Sequence, residues 1–390
     1  MLYRPPRNVF LLGLTSFFND LSSEMVLAVF PAFFVSVLKT GAASLGLVEG
    51  IADGASNIIK VYSGRWSDKM RRRKPFIIGG YGLSTLTRPL YIFTASIGGV
   101  VGLRFFDRIG KGLRDSPRDA VISLSTPKEQ LGRAFGFHRA FDTLGAVAGP
   151  LVAYFILKNH PAAFNTVFGT SFVMGILSLL TIALVKEVAG EVKNKNLSFA
   201  SLSSCSGNFK VYLVAVFFLS MGSIPIAVLL LKTQNIGMTI ASIPLFYMVY
   251  NLSYAGFSYP AGKISDQIGS KKVLIGGCLL LIGSYVFLIF ASSALSLGIA
   301  FLFLGLFPAF TDGVTRAYAS DLSPAENRGR SLGLVNAVSG FGLLFAGIVG
   351  GYAWQHQGVG ETLFIAGGFV LIAAVILLRV RPSVSVPSEE

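Results

Sequence analysis

The sequence predicts an all-α membrane protein with twelve transmembrane helices in two pseudo-symmetric six-helix halves. Three observations carry that prediction. The 390 residues are 53% hydrophobic and only 13% charged, with a mean hydropathy of +0.66, which lies outside the range of soluble domains. Apolar stretches of about twenty residues, enough for a helix to cross about 30 Å of hydrocarbon, recur along the chain. Two polar motifs also repeat at close to half the chain length.

The first half supplies spans at 8–37, 44–64, 76–96, 97–122, 135–157 and 163–185. The first holds Asn19, Asp20 and Glu24 inside an otherwise oily run and shows no small-residue cleavage site, so it is read as a retained helix and not as a signal peptide. The fourth is read as a span despite its internal charges. The second half supplies spans at 209–231, 239–261, 273–291, 294–319, 332–354 and 362–380, the tenth again with internal charges. Between the halves, Glu187 to Asn208 is polar and Ser-rich, the composition of a linker. The expected division is therefore 1–186, a linker at 187–208, and 209–390.

The repeat is explicit in the residues. "GRWSDKMRRRK" at Gly64–Lys74 returns as "GKISDQIGSKK" at Gly262–Lys272, an offset of 198, and "TPKEQLGRAFGF" at Thr126–Phe137 returns as "SPAENRGRSLGL" at Ser323–Leu334, an offset of 197. Two stretches sharing one offset mark a duplicated six-helix unit.

Basic residues set the orientation. The loops and tails that share a side with the N-terminus, with their flanking turns, hold 23 Lys and Arg. The opposite loops hold only Lys39, Lys158 and Lys232. By the positive-inside rule both termini are cytoplasmic, and the chain is expected in a bacterial inner (plasma) membrane. The same asymmetry accounts for most of the net charge of +14, with anionic lipid headgroups as the partner of "KMRRRK" and no nucleic acid. The two cysteines, Cys205 and Cys278, give no disulfide framework. His138, His160 and His356 lack metal-ligand spacing. "RIGKGLRDS" lacks the strand-loop-helix context of a phosphate loop. No metal, cofactor or enzymatic chemistry is expected.

The charged residues inside the apolar spans point to chemistry. Glu49, Asp53, Asn57 and Lys60 fall on an arc of about 80° on the second span. Arg104, Arg108, Lys111 and Asp115 form a narrow face of the fourth, flanked by Asp107, Arg114, Arg118 and Asp119. A face this polar turns toward another such face or a water-filled cavity, never toward lipid. In the second half the deep charges are Asp312 and Arg316, spaced i and i+4 as in a gate pair. The eighth span there offers Tyr247, Tyr250, Asn251, Tyr254 and Tyr259.

The loop motif resembles that of the major facilitator superfamily, G-x-x-x-D-[RK]-x-G-[RK]-[RK], with Gly64, Asp68, Lys69, Arg72 and Arg73 in the first copy. Arg71 stands where the family prefers Gly. The second copy has Gly262, Asp266, Gly269, Lys271 and Lys272, with Gln267 in the basic position. The resemblance covers essentially the whole chain. It implies secondary transport by alternating access, with Asp68 and Asp266 as latches on the cytoplasmic side. "GAVAGP", with Gly145, Gly149 and Pro150, resembles part of the antiporter signature of that superfamily's drug exporters, although Ala153 and Tyr154 replace its last two glycines. Arg108 and Gly112 match an R-x-x-x-G pattern linked to proton coupling there, with Lys111 in place of the usual Gln.

The expected protein is thus a monomeric, proton-coupled exporter of a small organic solute. Asp20, Glu24, Glu49, Asp53, Arg104, Arg108 and Lys111 are its candidate coupling and cavity residues. Asp20 and Glu24 are expected to meet Arg104, Arg108 or Lys111, with Asp20 as the proton carrier. Uptake of an organic anion is the alternative transport reading, and a transport-inactive sensor is the alternative from another class. Orientation can be tested in a background lacking Cys205 and Cys278: Ser206→Cys should react with impermeant thiol reagents only from the cytoplasmic side and Gly237→Cys only from outside. Labelling of both from one side would refute the twelve-span topology.

Overall fold

The computed structural model describes residues 4–70, 72–127, 130–188, 205–324 and 328–380, without the side chains of Arg65 and Asp68. The linker therefore lies outside the described residues from 189 to 204, and the Asp68 latch lies outside them as well. The first half comprises α1 (Arg7–Ser36), α2 (Ala42–Met70), α3 (Lys74–Leu90), α4 (Ile97–Leu124), α5 (Leu131–Asn159) and α6 (Phe164–Ala183). The second comprises α7 (Gly207–Met221), the short α8 (Ile226–Leu230) and α9 (Lys232–Asn235), then α10 (Ile243–Ile268), α11 (Ser270–Phe290), α12 (Ala294–Asp321), α13 (Arg328–His356) and α14 (Val359–Arg379). Large apolar side chains such as Phe93, Phe290 and Phe364 stay exposed on the periphery, as expected where lipid is the solvent.

The seventh span differs from its expectation of one helix over 209–231. It breaks between Met221 and Ile226, at Gly222 and Pro225. A break in hydrocarbon frees backbone groups that must find partners. Tyr285 of α11 answers both sides: its hydroxyl donates to Gly222 O at 2.7 Å and accepts from Ile224 N at 3.1 Å.

The duplication reaches individual contacts. Lys74 Nζ donates to Ala183 O at 2.8 Å, and 197 positions on, Lys271 Nζ donates to Val380 O at 2.7 Å. Each lysine ties the start of a half's third helix to the end of its sixth. Ser96 caps α4 by accepting from Gly99 N, and Ser293, also 197 positions on, caps α12 by accepting from Ser296 N. In both cases the cap satisfies an orphan N–H of the first turn.

The face carrying the α2–α3 and α4–α5 connections, here termed the basic face, differs from the opposite face. Toward the opposite face the halves meet closely. Gly46 and Gly50 of α2 lie against Gly347 and Gly351 of α13, where a Cβ on Gly50 would stand 2.9 Å from Leu344 O and 3.1 Å from Gly347 Cα. Only glycine permits so close a backbone approach. The other half-to-half seam joins α5 and α10, where Asn251 Nδ2 donates to Ala146 O at 2.9 Å. Gly347→Val should pry α2 from α13. Labelling of a Ser339→Cys reporter from the opposite face should then rise severalfold, and an unchanged rate in a folded variant would show that the seam does not hold that face shut.

Candidate functional site

The charged faces of α2 and α4 meet as a ladder. The two helices run parallel, and the pairs keep one register: Glu49 with Arg104, Asp53 with Arg108 and Lys60 with Asp115 are each 55 positions apart. Glu49 takes Arg104 in a two-pronged pair, 2.8 Å to Nε and 2.8 Å to Nη2, with both side chains buried. Such fork-to-carboxylate geometry is the strong form of the interaction. Arg104 also donates to Asp107 at 3.2 Å. Arg108 lies 3.5 Å from Asp53 and 3.9 Å from Glu49, and Lys60 lies 3.1 Å from Asp115. Gly112, the glycine of the R-x-x-x-G pattern, lets α4 close on α2: a Cβ there would meet Ser56 O and Ile59 Cβ at 2.8 Å.

Asp20 and Glu24 find other partners than expected. Arg104 and Arg108 are taken by the ladder, and no ion pair joins either α1 carboxylate to an Arg or Lys among the described residues. Asp20 Oδ1 accepts from Asn19 Nδ2 at 3.0 Å, and its carboxyl group faces that of Asp142 on α5. Asp142 in turn accepts from Ser16 Oγ at 2.6 Å and from Arg139 Nη1 at 3.2 Å. Glu24 accepts from the Tyr247 hydroxyl of α10, a bond that crosses between the halves.

The "GAVAGP" glycines explain why α5 reaches this carboxylate. A Cβ at Gly145 would stand 3.1 Å from Asp20 Cβ, and one at Gly149 would stand 3.0 Å from Glu24 Cβ. Their absence lets α5 lie on α1 and brings Asp142, one turn before Gly145, against Asp20. Gly64 lies against Ser116 of α4. Gly262 has open space around it, and Arg72 and Asp266 are exposed on the basic face.

A cavity of about 440 Å³ lies between the halves, from mid-depth toward the basic face. Asp53, Asn57, Lys60 and Lys111 line its first-half wall. Tyr250, Tyr285, Asp312, Arg316, Asn336 and Ser339 contribute to the second, together with the α7–α8 break. The expected Asp312–Arg316 pair does not form: the Asp312 carboxylate instead accepts from the Tyr254 hydroxyl at 2.8 Å. Tyr254 also lies under Arg139, whose guanidinium carbon is 5.0 Å from the ring centroid, within cation–π range. One polar chain therefore runs from Asp20 through Asp142, Arg139 and Tyr254 to Asp312, crossing from α1 to α12. Sequence reasoning missed Asp142 and Arg139, although an Arg-x-x-Asp one turn before a Gly-x-x-x-Gly-Pro was a readable signal. No group of three or more His, Cys, Asp or Glu among the described residues is arranged to hold a metal.

A sequence profile of the Major Facilitator Superfamily matches residues 12–231 and again 211–390. The chain belongs to that superfamily. An uncharacterised MFS-type transporter of Methanocaldococcus jannaschii is 36% identical over 379 residues, covering 95% of this chain and 94% of the relative. A multi-drug resistance efflux pump homologue of Lactococcus lactis is 23% identical over 387 residues and covers 92% of each chain. Among superfamily folds of known structure, a nucleoside transporter superposes with a TM-score of 0.81 at 13% identity, covering 96% of this chain and 99% of that one.

The ladder yields a stability prediction. Arg104→Gln leaves Glu49 buried without its principal partner and should cost about 3–5 kcal/mol, read as a lower thermal midpoint in detergent. The double variant Glu49→Leu/Arg104→Leu should recover part of the loss. A single variant as stable as the native protein would show that the pair carries no structural load.

Proposed function

We propose that the protein is a secondary active transporter that exports a small organic solute in exchange for protons, by alternating access at the central cavity. The membrane location and superfamily membership come from the fold and the sequence match. The distribution of 23 against three basic residues supports cytoplasmic termini in an inner (plasma) membrane. In that orientation the cavity faces the cytoplasm, and the glycine seam between α2 and α13 is the closed external gate. The exposed Asp266 has no hydrogen-bond or ion-pair partner among the described residues, which suits a latch disengaged on the open side. Resemblance to multi-drug efflux pumps favours the outward direction.

The observation that carries proton coupling is the Asp20–Asp142 contact. Two ionised carboxylates repel and offer only acceptors, so carboxyl groups that face each other are favoured when one of them holds a proton. Loss of that proton would break the contact and leave Arg139 as the main counter-charge for Asp142. Arg139 also lies on Tyr254, which holds Asp312 at the cavity wall. Protonation on α1 and α5 is thereby connected to a residue that faces the solute. Glu24, bonded to Tyr247, serves as a contact between the halves that rocking must break.

The test uses proteoliposomes and a panel of radiolabelled organic anions, cations and neutral solutes, with and without an imposed pH gradient. The native protein should exchange at least one solute and concentrate it when a gradient is applied. Asp20→Asn and Asp142→Asn should each abolish gradient-driven accumulation while retaining downhill exchange, since the amide keeps the shape and polarity of the protonated acid. Native-like accumulation by both variants would remove this pair as the coupling site. Failure of the native protein to exchange any solute would overturn the transport reading.

A further inference from the structure

We propose that the cavity takes a small organic anion, held between Lys111 on one half and Arg316 on the other. This names the substrate class of the transporter proposed above and rests on that reading. Five charged side chains line the cavity: Asp53, Lys60, Lys111, Asp312 and Arg316. Three are engaged, Asp53 by Arg108 at 3.5 Å, Lys60 by Asp115 at 3.1 Å and Asp312 by the Tyr254 hydroxyl at 2.8 Å. Among the described residues no carboxylate oxygen lies within 4 Å of Lys111 or Arg316. Arg316 misses even Asp312, one turn before it on the same helix. A lysine and an arginine that no described carboxylate answers are open to a ligand or water in the cavity.

Their placement narrows the ligand. Lys111 projects from α4 of the first half and Arg316 from α12 of the second, so an anion that touches both bridges the parts that move. Around Lys111 stand Arg108 and Lys60 as well as Asp115 and Asp20, while Arg316 is exposed to the cavity. Arg binds carboxylate, phosphonate or sulfonate oxygens through two parallel N–H bonds and Lys binds them as a point charge. A solute with an anionic group at each end, or one group reached from both sides, fits this pair. Tyr250 and Phe307 on the wall suit an aromatic or apolar body.

A mechanistic consequence follows. With the cavity empty, the two like charges repel and oppose closure of the face on which the cavity opens. A bound anion removes that repulsion, so the loaded carrier closes more readily than the empty one. This makes exchange tighter than leak.

The test uses the full chain purified in detergent, with phthalate, benzoate, benzamide and benzylamine as size-matched dianionic, monoanionic, neutral and cationic probes. Phthalate should raise the thermal midpoint most, benzoate less, and benzamide and benzylamine little. Lys111→Gln and Arg316→Gln should each weaken phthalate binding by at least about tenfold, the scale of one charge-assisted contact. Lys111→Arg should retain most of it and Arg316→Lys part of it, since the charge stays while the two-pronged bond is lost, which separates lost charge from misfolding. Counterflow of the same probes in proteoliposomes distinguishes the two proposals. Counterflow of benzylamine but not phthalate would overturn the anion site and leave transport standing. Phthalate binding that depends on both cations, without counterflow of any probe, would uphold the site and overturn transport. Absence of phthalate stabilisation, or equal stabilisation by benzylamine, overturns the anion assignment.

Discussion

The architecture depends on how a bilayer treats buried charge. A carboxylate or guanidinium in hydrocarbon must be paired or hydrated, and α2 and α4 meet that demand with a ladder in one register. Its upper rung, Glu49 with Arg104, is buried on both sides and bidentate, the geometry that resists rearrangement. The first half can therefore move as one body. The same α2 carries the glycines that lie on α13, so a rigid ladder on one face and a backbone seam on another share a helix. Moving α2 away from α13 need not disturb a single rung.

The polar groups that join the two halves are of a different kind. Glu24 with Tyr247, Asn251 with Ala146 O, and Arg139 over Tyr254 are single hydrogen bonds or a cation–π contact. Each is worth about 0.5–3 kcal/mol, an energy that binding of one solute or one proton can offset. Strong pairs lie within the moving body and weaker contacts lie between bodies. That division is what a rocking carrier requires, because the breaks must be cheap at the interface and costly elsewhere.

Much of this was legible in the sequence, for identifiable reasons. Membrane spans announce themselves by length, and the duplicated loop motif fixed the two halves even where α2, α3, α4 and α10 are too polar or too short for a hydropathy criterion. The polar arcs of α2 and α4 were readable from spacing alone, since 3.6-residue periodicity puts Glu49, Asp53 and Lys60 on one side. The partners were not readable. Periodicity says that a face is polar but not which other face it meets, so Asp20 was matched to arginines that the ladder already holds. The break in α7 was signalled by Gly222 and Pro225, yet its repair by Tyr285 depends on tertiary contacts 61 and 63 residues away, which no local pattern encodes.

The duplication also shows how function became asymmetric. Asp115 and Asp312 are equivalent positions, 197 apart, on α4 and α12. Asp115 is neutralised by Lys60 in the ladder, whereas the position 197 after Lys60 is Phe257 and Asp312 accepts from the Tyr254 hydroxyl instead. One copy of the unit pairs its charged face with opposite charge at every rung but leaves Lys111 outside the ladder. The other keeps Asp312 and Arg316 on the cavity wall without an ion pair to any described residue. In the duplicated scaffold the ion-paired ladder thus lies in the first half, and Asp312, reached through Arg139 and Tyr254, is the second half's link to the Asp20–Asp142 pair of α1 and α5.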